Sequence, residues 1–451
     1  METKNTSLAL GTDNIWHLLM LYAIPSVIAM TASSLYNITD SIFIGQGVGA
    51  LAISGLAITF PLMNISAAFG SLVGVGASAL MSLRLGQKDY TAANSILGNV
   101  FVLNLILGLI YTTLILIFLE PILYFFGASS ETLPYARDFM VIISIGNIIT
   151  HMYLGLNALL RASGNPSTAM YATLFSVLIN VILAPLFIFV FRWGIRGAAL
   201  ATVLAQTAML LWQIRIFSDK TNMIHLRKDT FRLKRKIVLD SMAIGLAPFL
   251  MNIAASGIVI IINQALIRNG GDLAVGAYGI INRLASLFVM IVLGLNMGMQ
   301  PIAGYNFGAG HYERVYRVLI LTVFLATAVT TAGFITGVFF PRAVASLFTR
   351  DARLIEISVE GLRIVLVLFP IIGFQMVAST FFQSIGMAGK AIFMSLTRQV
   401  LFLLPMLLIF PAIFGVKGVW YSMPAADFLS GIVAVILLVS QYRKSVLRIN
   451  V

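Results

Sequence analysis

Asp219-Lys-Thr-Asn-Met-Ile-His-Leu-Arg-Lys-Asp-Thr-Phe-Arg-Leu-Lys-Arg-Lys236 is the one long polar connection in a chain of 451 residues, and it falls almost at the midpoint. On either side the sequence runs through long apolar stretches. Hydrophobic residues make up 59% of the chain, charged residues 10%, and the mean hydropathy is +0.98. A soluble domain carries about 25% charged residues, so the composition excludes an ordinary soluble protein. Each apolar run is also much longer than the roughly 10-residue alternating strands of a membrane β-barrel. The reading is an all-α polytopic membrane protein.

Apolar runs of this length, divided by Gly, Pro and charged residues, predict spans at 15–44, 50–83, 91–118, 132–160, 166–190, 197–217, 237–267, 273–306, 312–339, 353–384, 389–414 and 417–441. Six of these twelve precede the polar connection and six follow it. The expected organisation is an N-terminal segment 1–14, a first lobe 15–217, a basic linker 218–236, a second lobe 237–441 and a C-terminal tail 442–451. With the N-terminus in the cytoplasm, 17 Lys and Arg fall in inward-facing segments, 8 in outward-facing ones and 4 within spans. The positive-inside bias therefore puts both termini and the linker in the cytoplasm. The net charge of +13 is explained by this placement rather than by nucleic acid. Met1 to Asn14 is polar and carries no secretory signal, so the first span is expected to be retained.

The two halves repeat. At an offset of 222 residues, Leu51-Ala52 meets Leu273-Ala274, Gly76 meets Gly298, Gly86 meets Gly308, Tyr90 meets Tyr312 and Gly164 meets Gly386. Slips of one residue pair Pro25 with Pro248 and Gly194-Ile-Arg-Gly197 with Gly415-Val-Lys-Gly418. Because six spans precede the linker, the halves start on the same side, which predicts a parallel 6+6 repeat of the transporter type with a cavity between the lobes. No filter-like loop of a channel is present.

Against this background Asp40, in Leu35-Tyr-Asn-Ile-Thr-Asp-Ser-Ile-Phe-Ile-Gly45, stands out. A charge at the centre of a membrane helix costs roughly 2.5–3.5 kcal/mol on insertion scales and is a functional candidate by default. Such a carboxylate can take up a proton or hold Na⁺ and so bias one conformation. With the one-residue slip that pairs Pro25 with Pro248, its counterpart under the repeat is Asn263, so only the first half keeps the acid. Other polar residues at membrane depth include His151, Arg398, Gln399 and Asp427, and most such groups serve helix packing. Met63, Asn64, Asn282, Arg283 and Gln375 are the candidate substrate-cavity residues. The chain has no cysteine and four scattered histidines, with no His-Glu-x-x-His, phosphate-binding loop or nucleophile elbow. No enzymatic activity, catalytic residue, metal site or cofactor is expected.

Taken together, Ile24-Pro25-Ser26, Asp40-Ser-Ile-Phe-Ile-Gly45, Ser82-Leu-Arg-Leu-Gly86, Leu160-Arg-Ala-Ser-Gly-Asn-Pro166, Gly197-Ala-Ala-Leu-Ala-Thr-Val203, Ala277-Tyr-Gly-Ile-Ile-Asn-Arg283, Gln300-Pro-Ile-Ala-Gly-Tyr-Asn-Phe-Gly308 and Phe381-Phe-Gln-Ser-Ile-Gly386 resemble the multidrug and toxic compound extrusion (MATE) family, particularly its bacterial DinF-like and MepA-like branches. The resemblance implies a V-shaped pair of six-helix lobes, in the bacterial inner membrane, that export organic, often cationic, compounds in exchange for H⁺ or Na⁺. It further implies an ion-coupling site in the first lobe at Asp40, Tyr36, Asn180, Thr202 and Asn157, in a protein expected to act as a monomer on small drug-like substrates. One departure concerns the fifth span, where the family pattern Asn-x-x-x-Asp-Pro reads Asn180-Val-Ile-Leu-Ala184-Pro185. The second carboxylate is missing. A Na⁺ cage would then have one carboxylate and neutral oxygens, so proton coupling is the simpler expectation, with Na⁺ coupling as the alternative. A lipid-linked precursor flippase of the same superfamily would need several basic residues along its cavity, and only Arg283 and Arg398 qualify.

Overall fold

The structure is a computed structural model that describes residues 6–449. The first five residues of the expected N-terminal segment, with Lys4 among them, and the last two of the expected tail lie outside the described residues. Sixteen α-helices follow one another, and no strand occurs among the described residues. They are α1 Thr6–Thr12, α2 Ile15–Gly47, α3 Ala50–Gly86, α4 Tyr90–Ile117, α5 Leu119–Phe125, α6 Leu133–Ala162, α7 Pro166–Pro185 and α8 Gly194–Ser218 in the first half. The second half holds α9 Arg235–Gly308, α10 Tyr312–Phe339, α11 Pro341–Phe348, α12 Ala352–Val365, α13 Phe369–Ser384, α14 Ala388–Leu396, α15 Leu404–Phe414 and α16 Val416–Ile449.

Nine of the helices, and α14 and α15 run together over Ala388–Phe414, are long and apolar enough to cross a membrane, and the α12–α13 pair, bent by 53°, forms an eleventh span. α9 is 74 residues long, about 111 Å at 1.5 Å per residue, against a hydrocarbon core of about 30 Å. It is broken at Gly271, where φ is 67° and ψ is −165°, and so supplies two spans. The expected twelve follow.

Departures from the expected spans have local causes. The single span expected at 353–384 bends after Val365 because Pro370, in the first turn of α13, has no N–H to continue the ladder. Two spans contain a π-helical stretch, Leu186–Val190 and Thr397–Leu403, and each adjoins a proline (Pro185 and Pro405) that removes one i→i−4 bond. Within the polar N-terminal segment, Thr6–Thr12 folds as α1, whose Leu10 is fully buried and accepts a hydrogen bond from Asn306 Nδ2 at 2.9 Å. α16 continues to Ile449, beyond the expected end at 441.

The repeat is visible in the backbone. α3 and α9 end at Gly86 and Gly308; α4 and α10 start at Tyr90 and Tyr312 and end at Ile117 and Phe339. α7 and α14 start at Pro166 and Ala388, and α8 and α16 at Gly194 and Val416, all 222 residues apart. Left-handed residues recur in step, at Gly49 and Gly271, Lys88 and Gly310, and Gly164 and Gly386.

The chain forms two compact units: residues 1–13, 28–249 and 304–310, and residues 14–27, 250–303 and 311–451. In the first, α3 packs on α6 and α4, and α6 on α8. A Cβ on Gly76 would collide with the Ser241 carbonyl, and one on Gly245 with the Leu72 carbonyl, so α9 and α3 meet there backbone to backbone. In the second, the same arrangement recurs at the repeat positions, with Gly298 against Ala23 and Gly294 against Val27. Small residues are what allow such close helix approach.

The basic linker is stitched onto α4. Asn94 Nδ2 donates to the Met223 carbonyl (3.3 Å) and Asn94 Oδ1 accepts from His225 N–H (2.9 Å). Asn99 Nδ2 donates to the carbonyls of Thr230 (3.3 Å) and Arg232 (3.0 Å), and its Oδ1 accepts from Lys234 N–H (2.8 Å). Both asparagines are buried, so their amides satisfy linker backbone groups that would otherwise need water.

Candidate functional site

The first unit places Asp40 on α2, four residues after Tyr36, on the same helix face. Asp40 is 8% exposed, and its Oδ1 is buried with no hydrogen-bond partner among the described residues. Beside it lies a chain of neutral groups. Tyr36 Oη is 2.8 Å from Thr202 Oγ1 on α8, and Asn180 Nδ2 on α7 donates to the same hydroxyl oxygen at 3.0 Å. Thr202 Oγ1 also lies 3.2 Å from the Ala198 carbonyl, its i−4 acceptor. Three helices therefore converge on one hydroxyl. Burying a carboxylate is costly unless it is paired, protonated or holding a cation. Asp40 has no cationic partner among the described residues, and Ala184, where the family pattern has its second acid, is fully buried in the apolar core with Phe187 and Ile188.

Asn157 is not joined to this group. Its Nδ2 donates to the Ala169 carbonyl at 2.9 Å, and its Oδ1 accepts from Arg161 Nη1 one turn along α6. Met63 and Asn64 lie half-buried on α3, with the Met63 sulfur 3.9 Å from Thr59 Oγ1. A little further along, Ser66 Oγ donates to Asn147 Oδ1, and His151 Nε2 is 2.9 Å from the Ser66 carbonyl, so that nitrogen carries the hydrogen. His151 is a helix-packing residue here, as its position suggested.

The second unit contains a cavity of about 370 Å³, within the range of small-molecule sites. Asn282 and Gln375 line it, together with Tyr278, Arg398, Gln399 and Asp427. Arg283 is not among the lining residues; its guanidinium sits 5.9 Å from the Phe348 ring. Arg398 Nε donates to Asp427 Oδ1, and Asp427 is 1% exposed. The sequence offered one clue to this pair. Away from their ends, the last two spans each carry one charge, Arg398 and Asp427, of opposite sign.

With this geometry in hand, comparisons with known proteins are specific. The profile of the MatE family matches residues 25–186 and 247–409, one match in each half of the repeat. The multidrug export protein MepA of Staphylococcus aureus (strain NCTC 8325 / PS 47) is 27% identical over 94% of this chain and 93% of its own length. The structure of the MATE multidrug transporter DinF-BH, solved as a complex, is 35% identical, covers 95% of this chain and 96% of that one, and superposes with a TM-score of 0.88. A multidrug resistance MATE family transporter of the MOP superfamily, solved in an outward-facing conformation, shares the fold at a TM-score of 0.92 over 99% of both chains, with 24% identity. The twelve-span, twice-repeated architecture and these matches over nearly the whole length establish the chain as a member of the MatE family of membrane transporters.

Proposed function

We propose that this protein exports drug-like, often cationic, organic compounds across the bacterial cytoplasmic membrane in exchange for protons, acting as a monomer by alternating access with both termini in the cytoplasm. The observation that carries the proton assignment is Asp40, a buried carboxylate with one oxygen unpartnered and only neutral groups hydrogen-bonded beside it. Tyr36, Asn180 and Thr202 supply hydroxyls and an amide, which suits a site that alternates between a neutral and a charged acid. The absence of a second carboxylate at Ala184 argues against a Na⁺ cage, which would gather several anionic oxygens.

Coupling requires that the proton and the substrate favour different conformations, since a ligand shifts an equilibrium only by its differential affinity. With Asp40 charged, the protein binds a cationic substrate. Proton uptake from outside neutralises the acid, removes the attraction and favours substrate release and return. Asn157 contributes through Arg161 and α7 rather than through Asp40, and Asn64, Met63, Asn282 and Gln375 offer the amide and thioether surface of the substrate path.

The test is substrate-dependent flux in proteoliposomes with pH and Na⁺ gradients imposed separately. A pH gradient alone drives export by the wild type, and Asp40→Asn abolishes it. Export driven by Na⁺ but not by pH, or undiminished in Asp40→Asn, would overturn the reading.

A further inference from the structure

The cavity of the second unit contains a charge pair that is only half used. Asp427 takes the Nε of Arg398 through Oδ1, while its Oδ2 is fully buried without a partner. Arg398 has five N–H donors in a fixed fork, and neither of its Nη groups has a protein partner among the described residues. Its side chain is 26% exposed and lines the cavity, so the Nη edge is the accessible part of the pair. A ligand entering the cavity can reach the exposed Nη edge of Arg398, whereas the unpartnered Oδ2 of Asp427, which lines the same cavity, is itself buried. An acceptor meets open donors.

Two further observations point the same way. Gln375 is 5% exposed, lines the cavity and has no hydrogen-bond partner for its amide among the described residues, so a buried polar group is left for a ligand to satisfy. Arg398 and Gln399 both line the cavity and lie in the π-helical stretch Thr397–Leu403, a distortion that recurs at functional sites. Much of the remaining lining is apolar and adaptable, with Phe369, Met376 and Met423.

We propose that this cavity is a binding site for an amphipathic molecule bearing an acceptor end, a carboxylate or a strongly polarised carbonyl, which docks on the Nη edge of Arg398 and on Gln375 while its apolar body lies against Phe369, Met376 and Met423. The inference rests on the reading of this chain as an exporter of drug-like molecules and extends its substrates beyond cations. Because Asp427 already neutralises Arg398, the site holds its ligand through directed, charge-assisted hydrogen bonds rather than through net charge.

The experiment uses the purified full chain in a nonionic detergent and the intrinsic fluorescence anisotropy of naproxen, an arylpropionate, against its neutral methyl ester and a naphthylalkyl trimethylammonium analogue. Wild type binds the carboxylate most tightly. Arg398→Gln combined with Asp427→Asn, which removes both charges and leaves no lone buried ion, weakens the carboxylate by about tenfold or more, the worth of a charge-assisted hydrogen bond, and weakens the ester, a poorer acceptor, much less. Arg398→Lys, which keeps the charge pair and loses the fork, weakens the carboxylate as well and covers the case in which the double variant does not fold. Equal binding of naproxen by wild type and both variants, or tighter binding of the ammonium analogue, overturns the proposal. Binding in detergent needs no ion gradient, so its failure leaves the coupling role of Asp40 standing, and failure of proton-driven export leaves this site standing.

Discussion

The hydroxyls of Tyr36 and Thr202, 166 residues apart in sequence, lie 2.8 Å from each other, and Asn180 donates to the same Thr202 oxygen. Thr202 is the junction through which α2, α7 and α8 meet next to Asp40. Thr202→Val keeps the shape and removes the hydroxyl, leaving two part-buried polar groups to find other partners at about 1–3 kcal/mol each. Proton-driven export is expected to fall by about tenfold or more, with Thr202→Ser close to wild type. Initial rates of dye export from proteoliposomes check this. A Thr202→Val protein with normal rates would separate the hydroxyl from coupling.

The backbone seam between α9 and α3 in the first unit has no room for a side chain at Gly245, where a Cβ would collide with the Leu72 carbonyl. Gly245→Val forces the helices apart and costs about 1–3 kcal/mol, as overpacking does. The thermal midpoint in detergent is expected to drop by several degrees. Gly76→Val does the same, and the double variant is less than additive because both act on one seam. A melting curve identical to wild type would mean the seam is soft.

Asn99 holds three backbone groups of the linker through one amide. In Asn99→Leu those groups are freed to solvent, so the basic linker is expected to be cut by trypsin much faster than in wild type. Global melting moves less, since the loss is confined to a surface segment. Limited proteolysis read by gel reports the difference. Equal cleavage rates would show that the linker stays in place through its apolar contacts alone, such as Phe101 with Phe231.

Asp427→Leu leaves Arg398 without its counter-ion, and breaking a buried pair costs about 3–5 kcal/mol. Because the Arg398 side chain is 26% exposed, the loss should lie at the lower end of that range. Replacing both, Arg398→Met with Asp427→Leu, is expected to recover most of the stability. Thermal denaturation of the two single variants and the double one completes the cycle. A double variant no more stable than Asp427→Leu would mean that Arg398 is held by something other than this carboxylate.

Much of the fold was legible one residue at a time. Span positions depend on summed hydropathy and on prolines and glycines, which act locally, and the 222-residue offset found from landmarks such as Tyr90 and Tyr312 reappears as helix ends at the same spacing. The bends were less legible. A proline announces that a hydrogen bond is lost, but neighbouring helices decide whether the chain answers with the 53° bend before α13 or with a π-helical turn near Pro185.

The sequence by itself determined that this is a twelve-span, internally repeated helical membrane protein, that Asp40 is the lone acid of its first half's membrane core, and that Ala184 cannot share an ion with it. These follow from composition, period and charge cost, which are additive along the chain. Only the tertiary structure decided which distant side chains meet. It gathered Tyr36, Asn180 and Thr202 and left Asn157 bonded to Arg161. It paired Arg398 with Asp427, moved Arg283 onto Phe348, and bound the linker to Asn94 and Asn99. Hydrogen bonds require distances near 3 Å and a defined angle, and that geometry is set by how whole helices pack, which hydropathy does not record.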